Sequence, residues 1–179
     1  VGNLLRRSEE FGDSVWVRGP SIQLTPGAAD PWGTSRAWDV VNVGAVTEGI
    51  TQTLAVPGDF RYSLSVWARS GGGAGLTLKA GVGEKSFVLG SQWKRYSLAV
   101  DLGLAAETSV LFGVDVQAGN VLALFGMQVE AQPGVSEYKK TGGVGGVFAN
   151  ARFASDELTV RAQGTDVFDT VVDIVTVGG

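Results

Sequence analysis

Apolar and polar side chains alternate most regularly between residues 60 and 69. Phe60, Tyr62, Leu64, Val66 and Ala68 take every second position, with Arg61, Ser63, Ser65, Trp67 and Arg69 between them. Successive side chains of a β-strand point to opposite faces, so this period of two predicts a strand with one face in the core and a polar face outside.

Short apolar runs of the same kind recur along the chain and are separated by turn signals such as Pro57-Gly58-Asp59 and Ala118-Gly119-Asn120. The period of an amphipathic helix is hard to find, and a parallel α/β sheet would need helices between its strands. The pattern therefore predicts an all-β sandwich of two antiparallel sheets with about nine or ten strands. Besides 60–69, the predicted strands cover 15–17, 22–24, 35–43, 50–56, 76–80, 85–89, 93–100, 110–116 and 121–130.

Composition agrees with one compact sandwich plus an appendage. The chain has 179 residues, of which 44% are hydrophobic and 18% are charged, so there is enough apolar material for a folded core. Its 27 glycines follow no fixed period, which excludes collagen and favours tight turns. We expect the N-terminal stretch from Asn3 to Trp16 to be an extended segment laid against the sandwich.

The local composition of the sequence changes after Thr141. Two glycine pairs flank Val144 there and predict a flexible hinge. Residues 157–163 and 170–177 then resemble a terminal β-hairpin joined around 164–169. We therefore predict a domain over 1–141 and a hinge-and-hairpin extension over 142–179. A lone hairpin is marginally stable in water, so the extension is expected to pack on the sandwich or on another chain.

Charge and residue types exclude several classes of function. The net charge is -4, the pI is about 4.8 and no basic stripe is present, which argues against a nucleic-acid partner. No apolar run approaches the roughly 18 residues of a membrane span. Cysteine and histidine are both missing, so thiolate metal sites, disulfides and the commonest general base are excluded.

Catalysis is not expected, because no nucleophile motif or phosphate-binding loop occurs. A glycosidase would need two carboxylates flanking a cleft. Pairs such as Asp115 with Glu130 do not differ in the sequence from ordinary hydrogen-bonding groups.

Trp67 is the first candidate for a binding residue. The alternation places its indole on the polar face of its strand, in one row with Arg61 and Arg69. An aromatic face among polar groups can stack on a sugar ring while its neighbours bond the hydroxyls. The alternative is that Trp67 packs under a loop or under the C-terminal hairpin, and the two readings are about equally good.

The same alternation places Asp115 opposite the apolar face of 110–116, and Gln128 and Glu130 opposite Phe125, Met127 and Val129. If these rows share a sheet with Trp67, their acceptors and the two arginines would line one groove. The alternative is an ordinary solvated sheet face with cross-strand ion pairs. Strand order, which decides between them, is not readable from the sequence.

Four further tryptophans have less distinctive contexts. Trp32 lies in a Pro-Gly loop and Trp38 lies beyond it, so either could form the rim of a site or plug one end of the sandwich. We assign Trp16 and Trp93 to structural anchoring.

An ordered set of short motifs resembles a known kind of domain. It resembles the carbohydrate-binding-module-like jelly rolls of bacteriophage tail and fibre proteins and of secreted bacterial proteins, over about residues 3–141. The motifs are Asn3-Leu4-Leu5, Ser8-Glu9, Phe11, Trp16, Gly33-Thr34, Ala37, Ile50-Thr51-Gln52, Ser65-Val66-Trp67-Ala68-Arg69, Trp93-Lys94-Arg95-Tyr96, Gly126-Met127-Gln128-Val129-Glu130, Tyr138 and Thr141.

The resemblance implies a jelly-roll fold and a carbohydrate or surface-glycan partner, in an extracellular, cell-surface or virion setting. It also implies a structural calcium ion, for which Asn3, Glu9 and Glu130 are the candidate ligands. Similar domains serve as structural spacers or adhesive surfaces. The alternative function is therefore a subunit of a phage tail, prophage or surface assembly that uses the C-terminal hairpin for oligomer contacts.

Overall fold

The computed structural model describes residues 2–146 and, beyond them, the segments 151–153, 160–162, 168–170 and 174–176. The chain divides into two compact units, Val1–Val147 and Phe148–Gly179. Among the described residues no helix has the length and apolar character that crossing a membrane requires.

Ten strands build the first unit, and their positions follow the predicted apolar runs closely. They are β1 (Val17–Arg18), β2 (Ile22–Ala28), β3 (Ala37–Asn42), β4 (Glu48–Leu54), β5 (Arg61–Arg69), β6 (Gly75–Ala80), β7 (Gly83–Val88), β8 (Lys94–Asp101), β9 (Val110–Val116) and β10 (Val121–Glu130).

The strands form two antiparallel five-stranded sheets. The first sheet has the order β1-β4-β9-β6-β7, and the second has the order β2-β3-β10-β5-β8. Neighbours in a sheet are mostly distant in sequence, as in a double-sheet sandwich with crossing connections. The predicted β-sandwich is confirmed.

The core lies between the two sheets and includes the predicted apolar face of β5. Tyr62, Leu64, Val66 and Ala68 are all buried, whereas Phe60, just before the strand, is 49% exposed. Tyr62 meets Phe112 of β9 edge to face, with ring centroids 5.2 Å apart. This contact joins the two sheets through aromatic packing.

A β-bulge in β10 changes which face Phe125 occupies. Phe125 pairs with Trp67 and Gln128 pairs with Ser65, so β10 has one residue more than β5 across this interval. Met127 and Val129 lie in the core as predicted, but Phe125 packs on Trp67 on the outer face. The predicted core position of Phe125 is wrong, because the alternation restarts after the inserted residue.

The N-terminal segment packs against the sandwich as predicted, with Leu5 and Phe11 fully buried. It is not extended throughout, because the amides of Glu10, Asp13 and Trp16 each donate to the carbonyl three residues earlier and form successive turns. It lies beside the second half of β10, which β3 does not reach. The Leu4 amide donates to the Val129 carbonyl at 2.8 Å, and the Met127 amide donates to the Ser8 carbonyl at 3.0 Å. The segment thereby covers backbone groups that would otherwise form an exposed strand edge.

The glycine run 142–146 also belongs to the first unit. The Arg7 amide donates to the Gly142 carbonyl at 2.7 Å, and the Gly146 amide donates to the Asn3 carbonyl at 2.9 Å. A Cβ at Gly145 would lie 2.2 Å from the Leu4 carbonyl oxygen. The expected flexible hinge is thus a hydrogen-bonded segment whose glycines allow close backbone approach. The domain boundary between 141 and 142 stays a prediction.

Two short antiparallel strand pairs are described in the second unit. β12 (Val160–Ala162) pairs with β13 (Phe168–Thr170), and β11 (Ala151–Phe153) pairs with β14 (Ile174–Thr176). The first predicted strand, 157–163, contains β12, but β13 begins at Phe168 within the predicted connection. Residues 174–176 of the second predicted strand pair with 151–153 instead. The predicted connection over 164–169 lies mostly outside the described residues.

Replacing Gly126 by alanine should destabilise the protein by about 1–3 kcal/mol. Gly126 has a φ of 59°, and a Cβ there would lie 3.0 Å from Cζ of Tyr138. The measurement is urea unfolding. The control is Gly103→Ala, since Gly103 has a φ of 62° and no atom within 4 Å of the added Cβ. Equal losses would show that the Tyr138 contact does not matter.

Candidate functional site

The outer face of the second sheet consists of a covered half and an open half. On the covered half, Ser63 pairs with Glu130 and Ser65 pairs with Gln128 across β5 and β10. All four residues are buried although they point away from the core. In this half of the outer face, the polar side chains that the sequence predicts to line an open groove are therefore covered by protein.

The occupant is the segment that follows β10, residues 131–140, named here the covering segment. Gln128 binds it twice, since its Nε2 donates to the Glu137 carbonyl at 3.2 Å and its Oε1 accepts the Lys139 amide at 2.6 Å. Ser63 Oγ donates to the Gly134 carbonyl at 2.9 Å. These contacts satisfy buried polar groups that an open groove would leave to a ligand.

Glu130 holds the same segment. Its carboxylate accepts the Ser136 amide at 3.0 Å and also bonds the Ser136 hydroxyl. Burial acts to raise the Glu130 pKa, but the hydrogen bonds from Ser136, the neighbouring Gln128 amide and the charge of Arg95 outweigh it, so the pKa is lowered. Gln128 and Glu130 were predicted as ligand-binding residues, and the structure corrects this because both are fully buried in protein contacts.

Trp67 lies between the two halves in an aromatic cluster. Its ring centroid is 5.3 Å from those of Trp32 and Tyr138, and 6.2 Å from that of Phe125. The guanidinium of Arg95 lies over the indole at 4.6 Å. Trp67 is partly buried. Of the two readings, packing under a loop describes it better than an open platform.

The exposed member of the cluster is Trp32, on the loop 29–36 between β2 and β3. The residue is 56% exposed, although its ring rests on Trp67 and Phe125. The guanidinium of Arg36 adds a contact 5.8 Å from the ring centroid. Trp32 therefore presents an aromatic surface to solvent and is held from below by other rings.

Buried Asp30 keeps the loop around Trp32 in shape. Its carboxylate accepts the Trp32 amide at 2.9 Å and the Thr34 amide at 3.1 Å, and it pairs with Nε of Arg36 at 3.0 Å. Burial acts to raise the Asp30 pKa, but these hydrogen bonds and the Arg36 charge together lower it. The loop is thus preorganised by hydrogen bonds to one ionised carboxylate.

The open half begins one row beyond the cluster. Asp39, Ala123 and Arg69 lie side by side on β3, β10 and β5. Small Ala123 forms the floor between the two charged side chains. A pocket of about 280 Å³ occupies this position, and the residues lining it are Asp39, Arg69, Ser70, Gly71, Ser91, Val121, Leu122 and Ala123.

Trp93, on the connection between β7 and β8, contacts one of the residues that line this pocket. The guanidinium of Arg69 lies over its ring at 5.0 Å, and its Nε1 donates to the Ala29 carbonyl at 3.1 Å. Trp93 thereby connects the Trp32 loop with the far edge of the sheet. The anchoring role assigned to it agrees with this hydrogen bond, but its ring also holds an arginine of the pocket.

Two other predicted binding residues lie elsewhere. Arg61 is at the opposite end of β5 from Arg69 and pairs with Asp101 at 2.8 Å. Asp115 is on β9 in the first sheet, where it pairs with Lys79 at 3.1 Å. The predicted groove combining Asp115 with Trp67 is wrong, because their strands belong to different sheets.

The three candidate calcium ligands have protein partners instead. Asn3 donates to the Met127 and Lys139 carbonyls and accepts the Leu5 and Val129 amides. Glu9 pairs with Arg36 at 3.2 Å and with Lys140 at 3.0 Å. Glu130 is bound by the covering segment.

These residues therefore do not fit a common calcium ligand set, which would need several oxygens directed at one ion. The described residues contain no group of three or more acidic, histidine or cysteine side chains placed to hold a metal. A structural calcium ion stays a prediction from the resemblance, without these three residues as a common ligand set.

Comparison with protein-family models gives no match, and comparison with curated proteins gives none either. Solved structures do match. The C-terminal family 22 carbohydrate-binding module of Clostridium thermocellum Xyn10B has a TM-score of 0.56 at 15% identity, over 75% of this chain and 97% of that one. TmCBM61, solved with beta-1,4-galactotriose, has a TM-score of 0.50 at 17% identity, over 73% and 99%.

The enzymatically active domain of bacteriophage CBA120 tailspike protein 4 also matches, with a TM-score of 0.55 at 14% identity. The match covers 73% of this chain but only 21% of the tailspike chain. At such identities the comparisons establish the fold. The first unit has the β-sandwich jelly-roll fold that these structures share, and the predicted resemblance is confirmed at the level of the fold.

Glu130 should make the protein sensitive to acid. Because its folded-state pKa is lowered from 4.5, its stabilising contribution is present above the unfolded pKa and is lost as the pH falls through the folded value. Glu130→Gln should therefore be less stable than wild type at pH 7, and the difference should narrow below about pH 4.5. The measurement is urea unfolding across pH.

Exposed Glu137 in the same segment supplies the control. We expect Glu137→Gln to change the unfolding free energy by no more than about 0.5 kcal/mol at any pH. A Glu130→Gln difference that stays constant from pH 7 to pH 3 would contradict the assigned role of the carboxylate.

Proposed function

We propose that this chain is a non-catalytic carbohydrate-binding module whose site is the open half of the second sheet. The observation that carries the proposal is exposed Trp32, which rests on the ring of Trp67, and Trp67 lies one row from a pocket that contains Asp39 and Arg69. The site differs from the predicted groove in its position, but it keeps the predicted chemistry of an aromatic surface beside polar groups.

The residues suit the two kinds of surface that a sugar presents. The C–H face of a pyranose ring packs on an indole, which Trp32 offers as a residue that is more than half exposed. Hydroxyls need acceptors and donors at fixed positions, which Asp39 and Arg69 offer on either side of Ala123. Neither charged side chain takes part in an ion pair or a hydrogen bond among the described residues.

The lining of the pocket supports binding rather than hydrolysis. Of its eight residues, Asp39 is the one carboxylate. Glycoside hydrolysis commonly uses two carboxylates on opposite sides of the scissile bond. The structural relatives support the proposal in a general way, since two of them are described as carbohydrate-binding modules. A glycan partner also agrees with the expected extracellular, cell-surface or virion setting.

Trp32→Ala should weaken glycan binding about tenfold or more, because the stacking surface is lost. Asp39→Asn should weaken it less, because an amide keeps one acceptor oxygen. The measurement is a glycan array followed by calorimetric titration of a positive glycan. Trp67→Ala is a less direct test, since removing Trp67 also removes the support of Trp32.

Matched controls lie elsewhere on the molecule. Phe60 is an exposed aromatic residue that directly precedes β5, at the end of the strand opposite Arg69. Asp115 is a carboxylate on the first sheet. We expect Phe60→Ala and Asp115→Asn to bind like wild type. A titration unchanged by Trp32→Ala would place the glycan elsewhere, and an array without any signal would refute the proposed function.

The second unit supports assembly as a second candidate function. Its described strand pairs contain three residues per strand, which is too short for an independently stable sheet in water. The unit therefore needs a packing surface. The sandwich could supply it, and the second candidate function is that a second copy of the chain or an assembly partner does so.

Removing residues 148–179 should then lower the molecular mass that light scattering measures in solution. We expect an oligomer for the full chain and a monomer for residues 1–147, which contain every residue of the described core. A monomer in both cases would contradict self-assembly. Circular dichroism and thermal unfolding of the shortened chain establish that it is folded.

A further inference from the structure

Arg69 differs from the other partly buried arginines in its contacts. Arg7 pairs with Glu10 and Asp13, and Arg95 donates to Ser65 and Ser136. Among the described residues Arg69 has neither an ion pair nor a side-chain hydrogen bond, and its guanidinium lies over the ring of Trp93. In the described part of the chain, every buried side-chain nitrogen or oxygen has a hydrogen-bond partner. Because the Arg69 nitrogens have no partner, they are accessible to solvent.

The ring of Trp93 helps to hold this guanidinium at the pocket. The Arg69 Cζ lies over the ring at 5.0 Å from its centroid, and the N–H donors of the guanidinium take part in no hydrogen bond among the described residues. A carboxylate can accept two parallel bonds from this fork, whereas a sugar hydroxyl offers a single acceptor atom. The arrangement therefore favours a carboxylate over a neutral hydroxyl.

Asp39 lies on the other side of the pocket and favours a ligand whose other end, away from its carboxylate, carries hydroxyl groups. Two strand spacings separate it from Arg69, which is about 10 Å between backbones, so an anion beside Arg69 is not directly against Asp39. A carboxylate accepts hydrogen bonds and so attracts hydroxyl donors. A ligand that spans the pocket thus has an acid group at one end and hydroxyls at the other.

We propose that the pocket binds a hexuronate residue of an acidic glycan, with the sugar carboxylate on Arg69 and its hydroxyls toward Asp39. The inference rests on the proposed function and narrows it to one substrate class. Trp32 then takes a neighbouring sugar of the same chain, because it is exposed and rests on Trp67, which lies one row from the pocket.

The test compares acidic oligosaccharides with their own methyl esters, which keep the shape and remove the charge. The probes are trimers of galacturonate, mannuronate and guluronate and a glucuronate-substituted xylo-oligosaccharide. They are titrated calorimetrically against the full chain. We expect at least one acid to bind about tenfold more tightly than its ester, since charge-assisted bidentate bonds are replaced by weaker neutral ones.

The variants localise this preference. Arg69→Gln should bind the acid and its ester with equal affinity, whereas Arg69→Lys keeps the charge without the fork and should retain part of the preference. The control is Arg61→Gln on the same strand, which lies outside the pocket and should keep the full tenfold preference. Thermal unfolding of each variant establishes that it is folded.

Each result has a definite meaning. An acid preference that disappears in Arg69→Gln supports the inference. Binding of neutral oligosaccharides such as xylohexaose that depends on Trp32, with no preference for any acid, overturns the inference and leaves the proposed function intact. An acid preference that persists in Arg69→Gln overturns the assignment to this pocket. Failure to bind any acidic or neutral glycan refutes the proposed function and the inference together.

Discussion

The arrangement of the outer face depends on one extra residue in β10. At Gly126 the chain takes a positive φ that favours glycine, and the inserted residue turns Phe125 away from the core. Phe125 then packs with Trp67, and Trp32 rests on both rings. Tyr138 approaches the place where a side chain at position 126 would be. The exposed indole of the candidate site is therefore supported by a local irregularity of the sheet.

The same face shows how one sheet surface can serve two purposes. In the covered half, Gln128 and Glu130 satisfy backbone groups of the covering segment, so their polarity stabilises the fold. In the open half, Asp39 and Arg69 have no such partners among the described residues. Polar residues that look equivalent in the sequence thus have different roles, because a segment close in sequence folds back over one set and not over the other.

The alternation of side chains predicts which face of a strand several site residues occupy, but it does not predict which residues together form the site. The period of two correctly places Trp67 and Arg69 on the outer face of β5. Asp39 was missed, although it alternates with Trp38 and Val40, because one charged residue in a short strand is an ordinary solvent-facing position. Asp115 was assigned wrongly, since alternation tells which residues leave the core but not from which sheet.

The sequence by itself determined the class of fold and nearly all strand positions, because side-chain alternation and turn residues are local properties of the backbone. It also determined the kinds of chemistry available, through missing histidine and cysteine and abundant tryptophan. Only the tertiary structure decided that β3, β10 and β5 are neighbours, that 131–140 covers half of their surface, and that Trp32 remains exposed. Those outcomes depend on contacts between residues far apart in the chain, which hydrophobic periodicity does not encode.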